Sequence, residues 1–413
     1  MTEDALKDAA QRFAIRAGGM FDGRSGRGGA VVVVVGDGAI KEVGPSAPVD
    51  DLAVLDFGPD AWLLPGLIDT HVHLVFDGSV DPVAALDGLD DDELLGRMRQ
   101  AAAAQLDAGV TSVRDLGDRG FLSTRLASQT RADMAAGPHI VAAGPPITTP
   151  GGHCHFLGGA VDGLDGIRAA VRERAARGCD VVKIMVSGGA MTPGSDPAVS
   201  QFTPDEIRVA VEEARALGMT VAAHTHGARS IGDAVRAGVF SIEHVTFVTP
   251  DGSPPEDTLL DEVAASGVLV SATLGRRPDE WSALPGPVRD MISRWYQLNG
   301  ELYRRGARVV VGSDAGIGPL KPHGVLPYAV GELIADLGTS PAAALTAVTA
   351  RAAEACGLAG RKGSLRPGMD ADLLVVAGDP LSDPSALLEV RAVFRGGVLV
   401  RGGAPAEASV PRA

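Results

Sequence analysis

Apolar residues in this chain gather into short runs separated by helix-periodic stretches. Eight runs occupy 63–74, 110–115, 139–144, 180–186, 219–226, 240–245, 267–273 and 308–314. Most are apolar nearly throughout, the pattern of a strand buried on both faces of a parallel sheet. Between them lie amphipathic segments, of which TPDEIRVAVEEARALG (203–218) is the clearest. Thr203 suits its N-cap, Pro204 its first turn, and Gly218 follows its last residue. Eight buried strands alternating with helices predict an α/β fold, a (β/α)8 TIM barrel, over residues 65–364. The chain ends read differently. Residues 1–64 hold AVVVVVGDGAIKEVG, with a glycine turn inside it, and 365–413 hold DADLLVVAGD and AVFRGGVLVRGG. These are strand and hairpin patterns, and their alternation argues against a free N-terminal tail.

Composition narrows the picture. With 45% hydrophobic but only 4% aromatic residues, the core must be large and aliphatic. The 54 glycines and 27 prolines are spread along the chain, as many tight turns require, and do not mark disorder. A net charge of −15 argues against nucleic acid or an anionic membrane as partner. Three cysteines, Cys154, Cys179 and Cys356, are odd in number and far apart, so neither a disulfide framework nor a cysteine metal site follows. The start, MTEDALKDAAQRF, is acidic and lacks an apolar signal core, and no run approaches a membrane span. The expectation is a cytoplasmic protein acting on a small molecule.

Chemistry concentrates at the carboxyl ends of the runs, where barrels build active sites. His71, His73, Lys183, His224, His244 and Asp314 end LLPGLIDTHVH, DVVKIMV, MTVAAHTH, VFSIEH and RVVVGSD, or lie near those ends. His71 and His73 are i and i+2 on a strand and so face the same way. Two such imidazoles hold one divalent ion, and imidazole suits zinc, nickel or iron. His224 and His244 are placed for a second ion. Asp314 is suited both to ligate metal and to accept a proton. Lys183 looks out of place, since an ammonium cannot bind a cation. A buried lysine beside cations loses its proton readily. The neutral amine then adds carbon dioxide to become a carbamate, an anionic bridge with two oxygens. Any one of these residues alone is more often structural; their recurrence at strand ends in barrel order is what points to a metal site.

PGLIDTHVHL, VVKIM, AAHTHG, SIEH and GSDAG, followed by GSLRPGMDADLLVVAGDPL, resemble the amidohydrolase superfamily from about residue 30 to about 400. Lys183 places the resemblance with the binuclear, carboxylated-lysine members. TTPGGHCHFLGG, SGGAMTPGSDP and HTHG are similar to the branch of Xaa-Pro dipeptidases, arginine and lysine carboxypeptidases and related amide hydrolases. Imidazolonepropionases share parts of the pattern but are not expected to carry the strand-four lysine. The resemblance implies that both chain ends, 1–64 and 365–413, pair into one small β-sandwich. It implies two divalent ions, zinc foremost: one on His71 and His73 with Asp314, one on His224 and His244, bridged by Lys183 N6-carboxylated with carbon dioxide. It also implies a homo-oligomer.

The implied reaction is hydrolysis of an amide or peptide C–N bond. Water bridging two ions is nucleophilic at neutral pH, and one ion polarises the carbonyl. Asp314 takes the proton and hands it to the leaving nitrogen. The leading expectation for substrate is a small peptide or N-acyl amino acid; the alternative is a non-peptide amide, carbamate or lactam. Deamination in this superfamily uses one ion and no bridging lysine, so Lys183 counts against it, and the full ligand set counts against a non-catalytic scaffold. For substrate binding, the resemblance points to His153 in GGHCHFLGG and to His226, where many relatives carry tyrosine. Arg276, beside Arg277 after the seventh run, is expected to meet a substrate carboxylate, since Arg matches it bidentately. His323 in GPLKPHG is a candidate substrate contact at the rim, with a structural or supporting role the favoured reading. His155 reads as a loop histidine bonded to backbone.

Overall fold

A computed structural model describes residues 12–403 and 408–409. Residues 1–11, 404–407 and 410–413, which the expected composite domain includes, lie outside the described residues.

The chain begins with β1 (Phe13–Phe21), β2 (Gly26–Gly36), β3 (Ala39–Gly44), β4 (Ala53–Asp56) and β5 (Ala61–Pro65). The barrel strands are β6 (Leu67–Val72), β7 (Val110–Asp115), β8 (His139–Ala142), β9 (Val181–Met185), β10 (Thr220–Gly227), β11 (Ser241–Val248), β12 (Leu269–Thr273) and β13 (Arg308–Gly312). The last strands are β14 (Leu373–Ala377), β15 (Val390–Arg395), β16 (Val398–Gly402) and the short β17 (Ala408–Ser409). Helices alternate with the barrel strands: α1 (Asp91–Asp107), α2 (Leu122–Ala132), α3 (Gly163–Ala176), α4 (Pro204–Ala216), α5 (Ala228–Ala237), α6 (Asp257–Ala265), α7 (Pro278–Ala283), α8 (Gly286–Arg304) and α9 (Leu326–Leu337). Two more, α10 (Pro341–Ala347) and α11 (Ala350–Ala355), precede the return to the sheet.

Strands β6 to β8 and β9 to β13 form two parallel ladders. Two short joints close them into a ring. Past β8, Ile147 donates to Lys183 O and accepts from Met185 N, both at 2.8 Å. Where first strand meets last, Asp314 N donates to His71 O at 2.7 Å and His73 N to Ala315 O at 3.0 Å. The eight strands match the expected apolar runs, with one difference. The run at 63–74 is two strands: Gly66 turns the chain from β5 to β6, its N–H donating to Asp372 O at 2.9 Å. A Cβ there would lie 2.2 Å from Thr111 Oγ1, so only glycine fits this close approach.

Both chain ends enter one mixed sheet in the order β16-β15-β14-β5-β1-β2-β3, with β4 beside β1 and β17 beside β4. Its inner face packs Phe13, Ile15, Val33, Leu55, Leu373 and Phe394 together, the small β-sandwich core. Alternation sends Leu64, Leu374, Val376 and Val393 the other way, into the barrel's core. Burying each such side chain stabilises by about 1.5–3 kcal/mol, which fastens sheet to barrel. Tight turns set the hairpins. Asp37-Gly38 (φ 49° and 71°) joins β2 to β3 and Gly396-Gly397 (φ 53° and 77°) joins β15 to β16, the paired left-handed conformation that matches strand twist. Helix α4 starts as its sequence demands: Thr203 accepts from Glu206 N, and Glu206 accepts from Thr203 N. Among the described residues no helix is long and apolar enough to cross a membrane.

Candidate metal centre

The barrel brings the six strand-end residues to one mouth. His71 sits in β6 with His73 just past its end, Lys183 in β9, His224 in β10, His244 in β11, and Asp314 two residues beyond β13. All six are buried. Strand β13 passes β6 closely enough that a Cβ on Gly312 would lie 2.2 Å from His71 Cβ. That glycine lets Asp314 reach the two histidines.

Hydrogen bonds fix which ring nitrogens face the centre. His71 Nδ1 lies 3.0 Å from Glu243 Oε2, and His73 Nδ1 lies 3.2 Å from the Gly117 carbonyl. Both partners only accept, so each Nδ1 carries the proton and each Nε2 keeps a bare lone pair. Burial, with the Lys183 charge adding to it, drives His71 well below the usual range and His73 down to about 3, so neither ring is protonated further. Yet the two Nε2 atoms are 3.2 Å apart, and Asp314 Oδ1 lies 3.5 Å from one and 3.4 Å from the other. Three electron-rich atoms converge with no proton between them. A cation is the group that fits such a donor set.

A second group of donors lies beside the first. His224, His226 and His244 offer ligand atoms within 4.8 Å of one another. His224 Nε2 faces the Gly188 carbonyl at 3.1 Å, which leaves Nδ1 bare. The rings of His71 and His244 are 5.0 Å apart and those of His224 and His244 4.6 Å, so the two groups are contiguous. Lys183 Nζ stands 3.5 Å from His71 Nε2. Among the described residues no carboxylate pairs with it, and burial lowers its pKa to about 8. Burial raises the Asp314 carboxyl to about 6.

The sequence reading missed the supports beneath this centre. Glu243 accepts from His71 Nδ1, from Ser241 Oγ at 2.6 Å and from Arg114 Nη2 at 2.9 Å. Arg114 also holds the Thr70 carbonyl at 2.6 Å. A regular strand would send Glu243 and His244 to opposite faces. Left-handed backbone at His244 (φ 70°) breaks that alternation, and both side chains reach the centre. Asp314 (φ 59°) is left-handed as well. Such conformations cost on the order of 1–3 kcal/mol each and persist where surrounding structure enforces them. The signal available was a charged residue inside each of two apolar runs, Glu243 in SIEH and Arg114 in VTSVRD.

The residues expected to bind substrate divide. His153 and His226 line the cavity over the centre. The His153 ring is 4.6 Å from that of His224, and its Nδ1 is buried without a partner among the described residues. His226 stacks on His244 at 4.7 Å and shares a 2.9 Å hydrogen bond with Thr246 Oγ1. Arg276 does not line the cavity. Its Nη2 lies 2.7 Å from Asp336 Oδ2, Glu332 stands 3.7 Å from Nη1, and the guanidinium stacks 4.0 Å over Trp281. Its charge is committed to that cluster, and Arg277 beside it is exposed. His323 is also outside the lining; its Nε2 donates to Phe76 O at 2.8 Å, tying the loop after β13 to the loop after β6. His155 is exposed and bonds the Gly152 carbonyl at 2.9 Å. The cavity holds about 220 Å³ and is mostly apolar above the metal donors, with Met191, Trp295 and Ile317 in its wall.

Known proteins share this arrangement of chain and fold. The curated relatives include ochratoxinase of Aspergillus niger, 28% identical over 383 residues, which span 82% of this chain and 76% of that protein. Imidazolonepropionase of Pseudomonas putida is 26% identical over 402 residues, spanning 86% and 89%. Among solved structures, a Xaa-Pro dipeptidase with methionine bound in its active site superposes with a TM-score of 0.83 at 28% identity, covering 95% of this chain and all of that one (100%). The A. niger ochratoxinase structure gives 0.79 at 25% identity, covering 98% and 100%. Residues 62–400 match the amidohydrolase family along their length, and the chain is a metal-dependent hydrolase of that family.

Proposed function

We propose that this protein hydrolyses a C–N bond of an amide with two divalent ions. In this reading His71, His73 and Asp314 hold one ion, His224 and His244 hold the other, and Lys183, as its carbamate, joins them. The observation that carries the reading is the convergence of two bare Nε2 atoms and a carboxylate oxygen within 3.5 Å. The imidazole and carboxylate set suits zinc. Lys183 supports the carbamate: it is buried, no carboxylate pairs with it among the described residues, and its proton is loosely held. Its free amine attacks carbon dioxide, an N–C bond forms, and the nitrogen releases a proton.

Ions in this site supply a water of lowered pKa and polarise the scissile carbonyl. The chain's own residues do the rest. Asp314 accepts the water's proton on a carboxylate oxygen and returns it to the leaving nitrogen, which departs as an amine. Burial, by raising its carboxyl, suits it to hold that proton briefly. The His153 ring, in the cavity wall beside His224, is placed to donate an N–H to the substrate carbonyl. Glu243 holds His71 in the tautomer that points Nε2 inward. Two relatives bear names consistent with this chemistry, a Xaa-Pro dipeptidase and an ochratoxinase.

The test is release of amines from a library of dipeptides, N-acyl amino acids and non-peptide amides, using zinc-loaded protein with bicarbonate, alongside metal counting. Two ions per chain with release of an amine from some member of the library is the expected result. Two bound ions without cleavage of any C–N bond would sink the assignment.

A further inference from the structure

The cavity walls say what kind of amide fits. Above the centre they are apolar: Phe76, Met185, Met191, Ile292, Trp295 and Ile317. Two cationic side chains reach the lining, Lys183 and Lys321. Lys183 belongs to the centre. Lys321 has all three of its ammonium hydrogens committed, to Ser313 O at 2.8 Å, Thr273 O at 3.0 Å and Gly275 O at 3.4 Å. Arg276, the cation expected for a carboxylate, is bound to Asp336 outside the lining. Away from the proposed ions of the centre, a carboxylate entering this space would shed water and find no free side-chain cation to replace it, a costly exchange.

Two side chains of the lining, His153 and Asn299, hold a buried polar atom without a partner among the described residues. Asn299 on α8 lines the cavity, and its Nδ2 donates to Trp295 O at 2.9 Å and Val245 O at 3.4 Å. Both partners are carbonyls, so the amide cannot be turned the other way, and Oδ1 is left buried without a donor. A mostly apolar wall suits a ligand with a bulky apolar body.

We infer that the substrate is an uncharged amide, with an aromatic or branched aliphatic group against Trp295 and Met191, and no carboxylate. This rests on the amide-hydrolase reading and chooses within it the non-peptide class over the free N-acyl amino acid. A matched pair tests it: N-benzoylphenylalanine, which carries a carboxylate, and N-benzoylphenylalaninamide, which does not. Both present the same scissile benzoyl amide. Zinc-loaded full-length protein is assayed for kcat/KM on each, and affinity is measured separately by equilibrium dialysis. The neutral member should be favoured at least about tenfold in affinity, the scale of one buried polar mismatch, and likewise in kcat/KM where cleavage occurs. Equal or better handling of the acid overturns the inference and leaves the hydrolase reading standing. Tighter binding of the neutral member with cleavage of neither supports the inference and counts against the hydrolase reading. Binding of neither member overturns the inference. As a second check, Trp295→Ala should raise KM for the neutral member with zinc content unchanged; an unaltered KM also overturns it.

Discussion

Lys183 at the barrel mouth and Lys362 at the junction of barrel and sheet are both buried, 0% and 6% exposed. Their surroundings are opposite. Lys362 touches Asp372 and stands 3.2 Å from Asp370. Asp372 in turn accepts from Gly396 N at 2.8 Å. Burial alone would raise that carboxyl, but Lys362 and the Gly396 N–H outweigh it and hold it below its usual range. The charges at the junction satisfy one another and serve as a strut. At the mouth no carboxylate touches Lys183 among the described residues; burial outweighs the more distant attraction of Glu243 and Asp314 and lowers its pKa to about 8, with His71 Nε2 3.5 Å away. The comparison shows that burial of a lysine is no mark of function. What marks Lys183 is that no carboxylate among the described residues touches it to balance its burial, beside nitrogen lone pairs that also lack a partner.

Substitutions sharpen this contrast, the largest loss of turnover coming first. Lys183→Ala should bring bound metal and turnover down together to background; two tightly held ions with full turnover in that variant would refute the bridge. Asp314→Asn should keep most of the metal and lose turnover by about 10²–10⁴-fold, the usual worth of a positioned proton carrier. Wild-type kcat in Asp314→Asn would hand the proton to another group. Glu243→Gln should weaken metal affinity by roughly 10–100-fold, since a ligand histidine loses the charge behind it. Competition with a chelator reads this directly, and an unchanged midpoint would make Glu243 a mere packing residue. Lys362→Met should leave turnover per folded molecule alone while lowering stability by about 3–5 kcal/mol, because Asp372 is left buried and unpaired. Denaturant melts against activity of the folded fraction would separate the two, and lost turnover without lost stability would erase the distinction drawn between the lysines.

Much of this was legible in the sequence because strand-end position is a local property. Each apolar run announces a strand, and barrel geometry assigns its carboxyl end to one face, so His71, His73, Lys183, His224, His244 and Asp314 are brought together by counting along the chain. What stayed hidden depends on pairings across long separations. Arg276 reads as a free cation until Asp336, on a helix 60 positions later, is seen to hold it. Asn299 is one polar residue on an amphipathic helix, and only the contacts of its Nδ2 reveal a spare oxygen. Glu243 is hidden by its own strand, whose alternation should point it away from His244; the left-handed turn of the backbone there has no signature in residue type. The break at Gly66 was missed because β5 and β6 are both apolar and lie end to end.

The joint between β6 and β13 has a consequence in time. His71 and His73 are synthesised some 240 residues before Asp314, and the first barrel strand must wait for the last. A nascent chain therefore carries two histidines with nothing opposite them until Gly312 slides against His71 and the ring shuts. A copy ending before Asp314 would lack one of the three atoms that converge at the first group of donors, and the two histidines would face an open seam.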